Sequence, residues 1–137
     1  MRGPDALREV AGRWMAAAVD DLRAARLLAG SADISPDVAC FHAQQAVEKA
    51  LKAILIVVGE DVPRSHDLDR LHQLVVQAGQ GQVDVPEGAL AWLAEVGLGG
   101  RYPDGSRDDV AIPADAERAV ALAVDVVTAA HAALDEA

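Results

Sequence analysis

Apolar residues return every three to four positions along most of the chain, and proline and glycine break that rhythm into five helix-length blocks. The first block runs from about Asp5 to Leu28 and ends at Gly30. The second opens after Ser35-Pro36, a capping residue followed by a proline suited to the first helical turn, and stops at Gly59. After the turn from Gly59 to Arg64, Ser65 or His66 can cap a third helix ending near Gly79. A short fourth helix spans roughly Pro86 to Val96, and a fifth runs from about Ala114 to Leu134. Between the last two lies a segment from Gly97 to Pro113 that carries four glycines and two prolines, and so reads as a long loop. No stretch alternates like a strand ladder. The pattern predicts an all-α fold: an antiparallel up-down bundle of four long helices plus one short helix, in a single domain over residues 1–137.

Helical wheels sort the side chains. In the first helix Leu7, Val10, Trp14, Ala18, Leu22, Ala25 and Leu28 share a face, and Asp21 points into it, about 20° from Trp14 and Leu28. A carboxylate there needs a partner, because an unpaired buried charge is costly. It is either a structural ion pair with a neighbouring helix or a carboxylate at the edge of a cleft. Arg8, Arg23 and Arg26 lie opposite, as a solvated stripe. In the second helix Ala43, Val47, Ala50, Leu51, Ile54 and Val58 form an arc wide enough to meet several neighbours or a second subunit. Gln44 falls inside that arc, which makes Gln44 and Asp21 candidates to meet in the core. His42, Gln45, Lys49 and Lys52 occupy the other face, where Glu48 and Lys52 read as an ordinary solvated i,i+4 pair.

Other polar residues have more than one reading. Ser65-His66-Asp67 at a helix start can satisfy free backbone N–H groups, or offer them to an anion with Arg64 and Arg70 nearby. His72 reads as a surface residue. His131 falls between Val120 and Val124 on the wheel, as a histidine of the core does. In the long loop, Tyr102 is a candidate to plug the core and Arg101 to pair with a buried acid such as Asp21.

Composition narrows the function. Hydrophobic types make up 52% of the 137 residues and aromatics only 3%, so the core is built from Ala, Val and Leu. Acids outnumber bases 22 to 12, giving a formal net charge of −10, which argues against a broad nucleic-acid surface. The single cysteine, Cys40, can form neither an internal disulfide nor a multi-cysteine zinc site, which favours a reducing, cytoplasmic setting. No apolar run exceeds six residues, against the ~20 needed to span a membrane, and the N-terminus lacks the apolar stretch of a signal peptide. Metal and phosphate-loop templates are absent, so no metal or cofactor is expected. No catalytic Ser-His-Asp set follows from spacing.

Trp14, Ala17, Asp21-Leu22 and Ala25 are followed by Cys40-Phe41-His42-Ala43-Gln44-Gln45-Ala46-Val47-Glu48-Lys49-Ala50-Leu51-Lys52-Ala53. Then come Pro63, His66-Asp67-Leu68 and Arg101-Tyr102-Pro103-Asp104. Together these resemble the higher eukaryotes and prokaryotes nucleotide-binding (HEPN) domain over about residues 8 to 134. The resemblance implies an antiparallel helical bundle that commonly dimerises, and a small partner protein, often a minimal nucleotidyltransferase. Many members of the family are RNA-cleaving toxins or their descendants. Its ribonucleases carry Arg, four to six residues, then His on a late helix; the His moves a proton and the Arg meets the scissile phosphate. No histidine here has an arginine at that spacing, and Arg118 and His131 are too far apart.

The expectation is therefore a non-nuclease HEPN module: a cytoplasmic homodimer, of the toxin-antitoxin type, that binds a nucleotide-handling partner or a nucleotide or other small anion. The candidate ligand groove holds His42, Gln45, Lys49, His66 and Arg101, with Asp21, Gln44 and Tyr102 as buried polar support. No catalytic residue is assigned. The alternatives are a ribonuclease toxin with a non-standard Arg/His pair, and a purely structural dimerising bundle.

Overall fold

A computed structural model describes residues 3–80, 83–97 and 111–137. Five helices follow in order: α1 (Pro4–Ala29), α2 (Pro36–Val57), α3 (Leu68–Gln77), α4 (Ala89–Val96) and α5 (Pro113–Glu136). Among the described residues there is no strand. Each long helix places a proline at its start, where the missing N–H has no partner to lose. Helices α2 and α3 end on glycines with positive φ, Gly59 at 80° and Gly79 at 87°. Those turns let Glu60 N–H reach Leu55 O and Gln80 N–H reach Val75 O, which satisfies carbonyls at each helix end.

Three long helices, α1, α2 and α5, form the frame; the third helix, expected to be long, has only ten residues because the chain stays extended up to its cap at Asp67. Helix α1 runs antiparallel to α2: Asp21 meets His42 and Lys49, while the earlier Trp14 meets the later Lys52. It is antiparallel to α5 as well, since Gly12 and Met15 lie beside Leu134 and Asp135 while Leu28 lies beside Pro113. The wide apolar arc of α2 finds its explanation here, because α2 packs against all four other helices. Alanine makes that packing close. Ala11, Ala18 and Ala25 of α1 and Ala39, Ala43, Ala46, Ala50 and Ala53 of α2 are all fully buried. Larger side chains fill the spaces around them, with Leu51, Ile54, Leu55, Leu68, Leu71, Leu90 and Leu93 each closed to solvent.

Asp37, in the first turn of α2, is a buried carboxylate that the sequence pattern did not single out. It accepts hydrogen bonds from the Ser35 hydroxyl at 3.0 Å and from the Ala111 backbone N–H at 3.1 Å, so it fastens the approach to α5 onto the start of α2. Its charge also suits the positive end of the α2 dipole.

Cys40 lies fully buried one turn further along. Burial pushes its thiol from 9.0 up to about 11, and the carboxylates of Asp115 and Asp37 push in the same direction. Between those two pH values the unfolded chain releases a proton that the native chain keeps. Stability should therefore be unaffected by this group below pH 9 and fall by roughly 2–3 kcal/mol as pH rises towards 11. Urea unfolding of the wild type and Cys40→Ala across that range checks this: the alanine variant should lose correspondingly less. A thiol so placed should also resist alkylation at neutral pH until the protein unfolds.

Candidate functional site

Two heptad-spaced stripes lie side by side on α1 and α2. On α1, Leu7, Val10, Trp14, Ala17 and Asp21 are all half-buried; on α2, His42, Gln45, Lys49 and Ile56 are half-buried and Lys52 is buried. The antiparallel arrangement puts the polar part of one stripe against the polar part of the other. There Asp21 binds two residues of α2, accepting from His42 Nδ1 at 3.0 Å and from Lys49 Nζ at 2.6 Å. Its side chain is only 14% exposed, so the bonds act in a partly desolvated setting.

A second cluster repeats the same chemistry. The Glu48 carboxylate accepts from Lys52 Nζ at 3.0 Å and from His66 Nδ1, which lies 3.0 and 3.1 Å from its two oxygens. Glu48 and Lys52 are almost completely enclosed, whereas the His66 side chain is 81% exposed. Lys52 also lies 5.8 Å from the centre of the Trp14 ring, a cation–π contact that ties this cluster back to α1.

Each carboxylate thus holds one lysine and one imidazole. A carboxylate oxygen accepts, so in both histidines Nδ1 donates and Nε2 is the ring nitrogen left for another partner. The lysines pair with the carboxylates, and Nε2 of each imidazole is the atom placed to hydrogen-bond a ligand. Such a site can orient two imidazoles without large motions, because their anchors belong to packed helices. Among the described residues no group of three or more potential metal ligands comes together.

Several sequence expectations need correction. Asp21 and Gln44 do not meet: Asp21 is taken by His42 and Lys49, and Gln44 turns towards α4. Gln44 is buried, and among the described residues its Oε1 has no hydrogen-bond partner. It packs so closely on Gly97 that a Cβ there would lie 2.6 Å from Oε1. Glu48 and Lys52 are not a solvated pair, because α1 and the turn before α3 cover them. The α3 cap is neither Ser65 nor His66 but Asp67, whose side chain accepts from Arg70 N–H at 3.2 Å. His66 is thereby free to bind Glu48. His72 is half-buried, and its Nε2 donates to Val83 O at 2.6 Å. His131 is exposed, beside Gly12, Ala16 and Asp20 of α1, rather than in the core. Arg101 and Tyr102 lie outside the described residues.

Of the candidate ligand residues, then, His42 and Lys49 converge on Asp21, and Gln45 lies on the same stripe of α2. His66 joins the neighbouring cluster through Glu48. Sequence reasoning overlooked Glu48 as the anchor of His66. Its signal was available: on the wheel Glu48 falls next to the apolar arc that holds Val47 and Leu51.

On α5 no nucleolytic pair forms. The Arg118 guanidinium stacks 4.0 Å from the centre of the Trp92 ring on α4. His131 is 13 residues further along the helix and faces the α1–α5 groove. At about 1.5 Å per residue the two lie about 20 Å apart along the axis.

A bundle of this kind, with a carboxylate–imidazole–lysine seam between its first two helices, defines a helical module with one polar face built into its longest contact. Residues 11–132 match the HEPN domain, and the chain belongs to that family. The crystal structure of TT1696 from Thermus thermophilus is similar, with 29% sequence identity and a TM-score of 0.72 over 90% of this chain and 97% of that one. No curated protein matches the chain. Among the described residues no helix is long and apolar enough to cross a membrane.

Proposed function

We propose that this chain is a non-nuclease HEPN module that binds a nucleotide or a related small anion along the α1–α2 seam, in company with a nucleotide-handling partner such as a minimal nucleotidyltransferase. In this reading it acts as a cytoplasmic homodimer of the toxin-antitoxin type. The observation that carries the reading is the pair of imidazoles held by Nδ1 on Asp21 and Glu48. Fixed in that way, His42 and His66 each present Nε2, and a protonated imidazole there donates to phosphate oxygen. Lys49 and Lys52 prevent the two carboxylates from repelling the ligand.

The non-nuclease part rests on α5. In-line attack by a ribose hydroxyl needs a base and a cation within reach of the same phosphate. Arg118 is stacked on Trp92 and His131 faces another groove, so α5 offers no such pair. Purified protein should leave tRNA and mRNA intact during prolonged incubation. Cleavage that survives rigorous purification and disappears in His66→Ala would instead favour a ribonuclease built on a relocated histidine.

A further inference from the structure

Where the α1–α2 seam leaves its polar section, it opens into a groove of about 630 Å³. Leu7 and Val10 line one side, Ile56 the other, and Trp14 is shared with the seam through its contact with Lys52. All four are half-buried, so each keeps apolar surface in contact with solvent. The charged side chains at the rim are both acidic, Glu60 and Asp61. Both are exposed, and among the described residues neither carboxylate has a hydrogen-bond or ion-pair partner.

We propose that this groove docks a basic amphipathic helix from a partner protein. The spacing of Leu7, Val10 and Trp14 follows one helical ridge for two turns, about 10 Å. An occupant helix fits that length with two or three apolar anchors spaced three or four residues apart. A Lys or Arg at the end nearest the α2–α3 turn then meets Glu60 and Asp61. Charge selects this occupant over others. The acidic rim of Glu60 and Asp61 repels an anionic bilayer and an acidic peptide, and draws in a cationic segment. The inference stands apart from the ligand of the polar seam, since no groove residue is one of the two histidines.

Two 18-residue helical peptides with identical Leu anchors test it, one with Lys and one with Glu on the polar face. Calorimetry should show the Lys peptide binding the wild-type protein and the Glu peptide binding at least tenfold more weakly. Amide shifts in the NMR spectrum should centre on Leu7, Val10 and Gly59. In the Glu60→Lys/Asp61→Lys variant, whose substitutions are on the surface, the preference should reverse. Equal binding of the two peptides, no binding of the Lys peptide, or a preference that survives charge reversal would overturn the proposal. Light scattering supplies the remaining arm: a dimer that Val10→Glu dissociates would assign the groove to a second copy of this chain, and would equally overturn it.

Discussion

Glu48→Ala should lower the free energy of unfolding by about 3–5 kcal/mol, the range found when one partner of a buried ion pair is removed. Glu48 and Lys52 are 4% and 6% exposed as whole residues, so the lysine left behind cannot simply turn into water. It would keep its cation–π contact with Trp14, but that contact is worth far less than the carboxylate it loses. His66 contributes little to the penalty, because its exposed ring can be hydrated in the variant. Replacing both partners by apolar residues of similar size, as in Glu48→Leu/Lys52→Met, should recover most of the loss. Urea unfolding of the three proteins measures this directly. A single variant as stable as the wild type would mean that the pair is not enclosed by α1 and the α3 approach.

The other large effect lies in the apolar core. Leu51→Ala should cost about 2–5 kcal/mol, from the lost transfer free energy and from the cavity left behind. Leu51 is fully buried at the centre of α2, the helix that contacts all the others. The core it belongs to is rich in alanine, whose side chain is too short to collapse into the gap. Leu27 provides the contrast: it is 79% exposed, and Leu27→Ala should stay within about 0.5 kcal/mol of wild type. Denaturation midpoints for the two variants check the ranking.

Much of this architecture was legible from periodicity. The blocks ended by Gly30 and Gly59 are α1 and α2, and the Ala-rich arc of the second block does face several neighbours. Asp21 on an apolar face needed a partner, and it has two. What the wheel could not supply was which partner. A wheel gives a residue's angle on its own helix but not the rotation or the offset of the helix opposite. The antiparallel offset of α1 and α2 brings Asp21 level with the stripe of His42 and Lys49 and leaves Gln44 on the α4 side. The same limit applied to His131. Its angle lies near Val120 and Val124, but towards the end of α5 that side of the helix emerges beside the small residues Gly12 and Ala16, which leave it open to solvent.

Glu48 was misread for a related reason. An i,i+4 Glu–Lys pair is usually a surface feature, and the local pattern contains nothing that buries it. Burial comes from Trp14 on one side and from the segment around His66 on the other, both far from Glu48 in sequence. The cap was equally a matter of competition. Asp67 satisfies Arg70 N–H, so His66, one residue earlier, is released to reach Glu48. Local sequence thus located the polar groups of the site, and long-range packing decided which of them became anchors and which remained available.

The central claim is that the carboxylate-held imidazoles of the α1–α2 seam receive an anionic ligand. It is tested most directly by nitrogen-15 NMR of the histidine rings during titration with ATP. The account predicts that Nε2 of His42 and His66 shifts on addition of ATP, that Nδ1 of both keeps the signature of a donor to carboxylate, and that His72 and His131 remain unchanged. Histidine spectra indifferent to millimolar ATP, or a response confined to His131, would contradict it.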